Sequence, residues 1–320
     1  MDELTVGIAQ IAPVWLNRDG TLAKIIDYTA QAADAGCQLV TFGEALLPGY
    51  PIWLDWTDGS RFDSPVHKRI HAHYVDQAIQ IEAGHLEPLQ KVAAQRNIAV
   101  YVGTIERATN RGGHSIYCSL VYIDSEGVIQ SVHRKLMPTY EERLTWSTGD
   151  GHGLRTHKLG AFTLGGLNCW ENWMPLPRAA LYGMGEDLHV AVWPGGERNT
   201  RRTTQFLARE GRSYVLAASG FMRLTDFPTD TPHLDIIMAD MHQEVTDGIL
   251  SNGGSGIAGP DGEWIVEPVV DEEKLIVATL NHRRVREERQ NFDPAGHYSR
   301  PDVTKLIVDR RRQSTIEIIE

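Results

Sequence analysis

The chain has 320 residues, 42% hydrophobic and 23% charged, enough apolar material to bury the core of a soluble α/β enzyme. A net charge of −11 excludes a basic nucleic-acid-binding face as the main function. No apolar run approaches the roughly 20 residues of a membrane span, so neither nucleic acid nor membrane is an expected partner. The acidic, strand-like N-terminus does not read as a secretory leader.

Leu4 to Ala9 alternates and predicts a first strand. Thr21 to Ala35 places Leu22, Ile25, Ile26, Thr29 and Ala33 on one helical face, with Gly36 where a helix-ending glycine belongs. Leu39-Val40-Thr41-Phe42 is a short continuous apolar run, the pattern of a strand buried on both faces. It ends in Gly43-Glu44, a carboxylate at the end of a buried strand, unless the chain simply surfaces there. Trp53 to Asp63 reads as a loop, followed by helices over Pro65–Ile81 and His85–Asn97. His67, His71 and His73 on the first helix could suggest a metal, but no carboxylate or third ligand completes the set, and a solvated face is expected.

Ile98 to Ile105 predicts another buried strand. Ile116–Ile123 and Val128–His133 pair as a hairpin across Asp124-Ser125-Glu126-Gly127. Cys37 and Cys118 fall at strand positions and read as core thiols. Next come His133 to Arg143, where charges interleave with Leu136, Met137 and Pro138, so this segment must pack and carry selected charges inward. The run Ala161–Leu167 then stops at Asn168-Cys169-Trp170-Glu171-Asn172-Trp173, before a helix over Pro175–Gly183 with prolines at its start. A cysteine on a strand-to-helix turn faces backbone N–H groups, which favour a thiolate.

A strand Leu188–Trp193, a helix Thr200–Gly211 and a strand Tyr214–Ser219 follow. Phe221–Gly248 shows no period and reads as a long mobile excursion near a site. A second hairpin flanks Gly259-Pro260-Asp261-Gly262, Leu275–Leu280 is the last strand, and a charged helix precedes Asp293–Asp302. No repeat or low-complexity linker interrupts this, which predicts one domain over residues 1–320. Three widely spaced cysteines form neither a disulfide framework nor a zinc site, and reduced thiols fit a cytoplasmic protein.

Glu44, Lys135 and Cys169 thus stand at strand ends. A free thiol is only a few per cent ionised at neutral pH, so a carboxylate base and a cation beside it would turn a modest nucleophile into a catalyst. No convincing histidine partner for the cysteine stands next to these segments, which speaks against a papain-like pair.

Phe42-Gly43-Glu44, Arg134-Lys135-Leu136 with Pro138-Thr139 and Glu142-Arg143, and Cys169-Trp170-Glu171 resemble the three signature segments of the nitrilase branch of the carbon–nitrogen hydrolase superfamily. Similarity continues through Trp146, Gly149-Asp150-Gly151, Gly259–Gly262 and Gly296–Asp302. The resemblance implies an α-β-β-α sandwich and homodimers or higher homo-oligomers, with residues 281–320 taking part in dimer contacts. The chain ends at Glu320, where many relatives carry a longer tail, which disfavours long spirals. It also implies hydrolysis of a small organic nitrile to the acid and ammonia, without metal or organic cofactor. In that comparison Cys169 matches the nucleophile, Glu44 the general base, Lys135 the cation near developing charge and Glu142 a second carboxylate that positions the lysine. Asn172 stands where other members carry histidine. Tyr50, Trp170, Trp173 and Trp193 are expected at the substrate, and Trp53 and Trp56 could join them in an apolar pocket for an aryl or arylaliphatic nitrile. Cyanide hydratase or dihydratase and amidase-type activity are the alternatives.

Overall fold

Buried apolar runs become parallel strands at the centre of two sheets, and alternating runs become hairpins at their edges. A computed structural model describes residues 2–245, 247–316 and 318–319; Met1, Thr246, Glu317, Glu320 and the side chains of 240–244 lie outside the described set. The strands are β1 (Glu3–Gln10), β2 (Leu39–Phe42), β3 (Ala99–Arg107), β4 (Ile116–Ile123), β5 (Ile129–Arg134), β6 (His157–Leu159) and β7 (Phe162–Asn168). They continue with β8 (Leu188–Trp193), β9 (Tyr214–Ser219), β10 (Phe221–Arg223), β11 (Ile249–Ala258), β12 (Trp264–Val270) and β13 (Lys274–Asn281). The longer helices are α1 (Arg18–Asp34), α3 (Pro65–Gln77), α4 (Glu87–Arg96), α5 (Pro175–Gly183), α6 (Glu197–Gly211) and α7 (Leu234–Glu244); α2 (Trp53–Trp56) and α8 (Arg283–Glu288) are short.

One sheet has six strands in the order β13-β1-β2-β3-β4-β5; the other has seven, β10-β11-β9-β8-β7-β6 with β12 on β11. In the first, β1, β2 and β3 are parallel; in the second, β7, β8 and β9 are parallel. The sheets meet face to face through Val6, Ile8, Tyr101, Leu120 and Tyr122 on one side and Leu164, Val190, Val192 and Leu216 on the other. On the outer face of the first sheet, Ile25 and Ala32 of α1 and Leu89 and Ala93 of α4 cover Val40, Val100 and Val121. Outside the second, Leu207 and Ala208 of α6 pack on Ala191 and Ala217, and Leu181 of α5 packs on Leu167. Each fully buried aliphatic side chain contributes about 1.5–3 kcal/mol, so these layers hold the architecture without disulfides. The four-layer α-β-β-α sandwich expected from the sequence is the architecture found.

Several local expectations change. The loop Trp53–Asp63 begins with the helical turn α2, because Trp53 packs edge-on against Tyr74 and belongs to the core. Helix α3 ends at Gln77, since Ala78 turns extended and Ile79 bridges to Glu106 of β3. Its histidines are half-buried: His67 bonds Thr57, His71 bonds Thr145 and His73 bonds the Leu16 carbonyl, so they dock loops instead of facing solvent. Helix α6 starts three residues earlier than its apolar period shows, at Glu197. The stretch Phe221–Gly248 carries β10 and α7 and buries Met222, Phe227 and Ile237 against Trp15 and Trp53.

Candidate active site

The parallel strands bring their carboxyl ends to one place, as open α/β sheets do. Strand β2 is buried at every position and hands on to Glu44. Behind it Gly103 of β3 leaves no room for a side chain: a Cβ there would lie 2.2 Å from the Gly43 carbonyl and 2.7 Å from the Glu44 Cα. From the other sheet, the Trp193 carbonyl at the end of β8 accepts the Glu44 N–H at 3.1 Å. Lys135 follows β5, held by its N–H donating to the Cys118 carbonyl at 2.7 Å. Cys169 follows β7 in the left-handed region, φ 45°, on a 3₁₀ turn Cys169–Trp173 that precedes α5. A non-glycine residue held there is strained, and such positions cluster at functional sites.

The side chains meet with almost no access to water. Lys135 Nζ lies 3.0 Å from Glu44 Oε1 and 2.7 Å from Glu142 Oε2. Single ligand atoms of Glu44, Glu142 and Cys169 all lie within 4.8 Å of one another. Two carboxylates and a thiol could be donors for a metal ion, but the Lys135 ammonium already bridges the carboxylates. Lys135 also stands 5.4 Å from the centre of the Trp146 ring, a cation–π contact. Glu142 is fixed by the Thr139 N–H at 2.5 Å and by the Tyr50 hydroxyl, which donates at 2.9 Å.

Burial pushes Glu44 up to about 7; Lys135 opposes this and Glu142 adds to it. Burial would neutralise Lys135, but Glu44, Cys169 and Glu142 outweigh it and hold the ammonium well above its usual range. Burial, followed by the Glu44 charge, pushes the Cys169 thiol well up, although Lys135 and the Trp170 N–H pull the other way. The turn therefore does not produce a resting thiolate, contrary to the sequence expectation. Desolvation and two carboxylates outweigh one ammonium, and a base has to take the proton.

Glu171 is a connection that sequence reasoning missed. Its buried carboxylate accepts the Leu136 N–H at 2.5 Å and the Asn168 N–H at 2.8 Å, and lies 3.0 Å from His133 Nε2. It therefore clamps the residue after Lys135 to the residue before Cys169, across the two sheets. The spacing Asn168-x-x-Glu171, like Thr139-x-x-Glu142, is that of a helix-capping pair and could have flagged both. Asn172 is buried as well: its amide donates to the Cys169 carbonyl at 2.8 Å and its oxygen meets His189 Nε2 at 2.7 Å. Cys118 is buried as expected, yet its thiol donates to Glu44 Oε1 at 3.6 Å. The hairpin register, which sets Ser119 opposite Arg134, puts Cys118 across from Lys135 and carries that signal.

A cavity of about 810 Å³ opens on Glu44 and is lined by Tyr50, Leu46, Ile52, Pro194, Phe221 and Met222. The tryptophans do not line it. Trp193 is fully buried, packed in one cluster with Cys169, and Trp53 lies in the core. Trp170 and Trp173 are 55% and 62% exposed on the outward side of the turn. On the turn that points Cys169 inward, Trp170 and Trp173 face outward while Glu171 and Asn172 are buried, and composition alone does not show which residues go which way.

A family model described as carbon–nitrogen hydrolase matches residues 5–290. "Nitrilase 2" of an unknown prokaryotic organism is 36% identical over 317 residues, 98% of this chain and 95% of that protein. "Aliphatic nitrilase" of Sinorhizobium fredii (strain HH103) is 32% identical over 316 residues, 99% of each chain. An amidase crystal structure from Nesterenkonia sp. superposes with a TM-score of 0.63 at 18% identity, covering 89% of this chain and 92% of that one, a likeness of fold. The chain belongs to the carbon–nitrogen hydrolase family, in its nitrilase branch.

Proposed function

We propose that this protein hydrolyses an organic nitrile to the carboxylic acid and ammonia, with Cys169 as nucleophile, Glu44 as general base, Lys135 as electrostatic stabiliser and Glu142 as the group that fixes Lys135. The observation that carries the reading is the buried Glu44–Lys135–Glu142 chain set within 4.8 Å of a cysteine at a strained strand end, in a sequence over 30% identical to nitrilases along nearly its whole length.

The chemistry follows from the charges. With the thiol neutral at rest, Glu44 takes the Cys169 proton as sulfur attacks the nitrile carbon and passes that proton to the nitrile nitrogen, giving a thioimidate and returning Glu44 to its carboxylate. A carboxylate held near 7 serves both directions of that transfer at neutral pH. Glu44 then removes a proton from water as its oxygen adds to the thioimidate carbon. Lys135 and the Trp170 N–H stand where the tetrahedral state gathers charge, in a site dry enough for their dipoles to count. Ammonia leaves with a proton from Glu44, and a second water releases the acid from the thioester. These steps use side chains and water alone.

The test is ammonia release from aliphatic, aryl and arylaliphatic nitriles, with cyanide and the matched amides measured alongside. Turnover of a nitrile at least tenfold above its amide is the expected result. Turnover of amides only, or of cyanide only, would replace this reading with one of its neighbours.

A further inference from the structure

The cavity wall holds Tyr50 and Phe221 but no tryptophan, and it is rich in carboxylates. It carries Asp55, Glu141, Glu197, Asp247 and Asp271 and, among the described lining residues, one basic side chain, Arg198. Glu197 is already paired with Arg201 at 2.6 Å, and Asp247 and Asp271 are solvent-exposed. Asp55, itself exposed, and the half-buried Glu141 lie close enough together that the Glu141 charge bears on Asp55. Neither reaches a lysine or arginine among the described residues, and Glu141 meets only the Tyr50 hydroxyl, at 3.0 Å. The same hydroxyl donates to Glu142, so this acidic pair adjoins the reacting groups. Burial and the Glu141 charge push Asp55 up to about 6, the mark of a carboxylate short of a counterion. A second feature of the cavity is independent of that pair: Glu44, only 3% exposed, lines it with Oε2 lacking any hydrogen-bond partner.

In the reaction proposed above, a nitrile whose cyano carbon meets Cys169 beside Glu44 would place its other end in this wall. Leu46, Ile52 and Met222 can cover a short alkyl chain, but an unbalanced acidic pair favours a cation at the chain's far end and repels an anion. We propose that Asp55 and Glu141 make this site select nitriles that carry an ammonium group a few carbons from the cyano group, over neutral and, most strongly, over anionic nitriles of similar size. The inference rests on the nitrile-hydrolysing function above and names its substrate class.

Three probes of nearly equal length separate the cases: 4-aminobutanenitrile, pentanenitrile and 3-cyanopropanoate, assayed at pH 7.5 and low salt. The expected order of kcat/KM is cation, neutral, anion, with about tenfold or more between the first two, carried by KM. The cation-to-neutral ratio should fall toward one in Asp55→Asn and in Glu141→Gln, and in wild type as salt is raised. Because each variant is compared with itself on two substrates, a loss of folded protein cancels from the ratio. Equal kcat/KM for cation and neutral nitrile in wild type, or a preference that survives both substitutions, overturns the inference while leaving nitrile hydrolysis standing. If none of the three turns over, protection of Cys169 from iodoacetamide by the same compounds still reads the charge preference. That outcome sinks the nitrilase reading alone when protection follows the expected order, and both when it does not.

Discussion

Glu44 must be ionised to accept a proton and must hold it long enough to return it, and its surroundings set that balance. Because the base works in its deprotonated form, kcat/KM should rise with pH and level off with a midpoint near 7, where burial has moved this carboxylate. Glu142 pushes Glu44 up and Lys135 pulls it down. Glu142→Gln should therefore shift the acidic limb to lower pH, and Lys135→Met to higher pH. Limbs that stay put in both variants would remove Glu44 from the base role. Lys135→Met should also lose roughly a hundredfold or more in kcat with little change in KM, as when a transition-state donor is removed. Glu142→Gln leaves Lys135 less neutralised and less fixed. A tenfold change in partition between expelling ammonia and expelling the thiolate needs only about 1.4 kcal/mol, so the amide fraction should rise as total rate falls. Chromatography of acid and amide from one nitrile reads this directly; a fixed ratio with a large rate loss would place Glu142 at the attack step.

The elements that carry these residues tolerate little displacement. Gly103→Ala would set a Cβ 2.2 Å from the Gly43 carbonyl, against backbone that has nowhere to move. Its expected effect is a more than tenfold loss of kcat together with a lowered Tm, and wild-type rates in a folded Gly103→Ala protein would contradict the role given to β3. Much of this was legible in the sequence because it depends on periodicity. The four-residue run Leu39–Phe42 reads as a doubly buried strand, and the abrupt end of Ala161–Leu167 marks the turn at Cys169. What periodicity does not report is direction at an irregular turn. Trp170 and Trp173 sit beside the cysteine in sequence and point away from the cavity, while Asp55 and Glu141 reach it from two separate segments. Phe221–Gly248 shows no clear period because its buried apolar residues among those described, Phe221, Met222, Phe227 and Ile237, are irregularly spaced. The clamp made by Glu171 depends on two sheets meeting, a contact between residues that belong to different strands.

At the scale of the whole molecule, α8 still buries Val285 in the core, and the chain beyond it runs mostly exposed, with residues 301–310 all at the surface. Arg312 reaches Asp150 at 3.0 Å and the Val132 carbonyl at 3.2 Å, tying the C-terminal segment back near the end of β5. Around that anchor Ile307, Ile316, Ile318 and Ile319 are exposed, more apolar surface than a tail in water needs. We propose that residues 281–320 contribute to contacts between copies of the chain. Deleting residues 305–320 should lower the particle mass by light scattering toward that of one chain; an unchanged mass would assign subunit contacts elsewhere.

Cys169 is assigned the covalent bond to substrate, and intact-protein mass during turnover reads that bond. Wild type mixed with a nitrile and quenched should carry one acyl or imidate mass mapped to Cys169. Cys169→Ala should carry none and should lose turnover by at least about a thousandfold with its fold intact. An adduct mapped to Cys118, or turnover within tenfold of wild type in Cys169→Ala, would contradict the account.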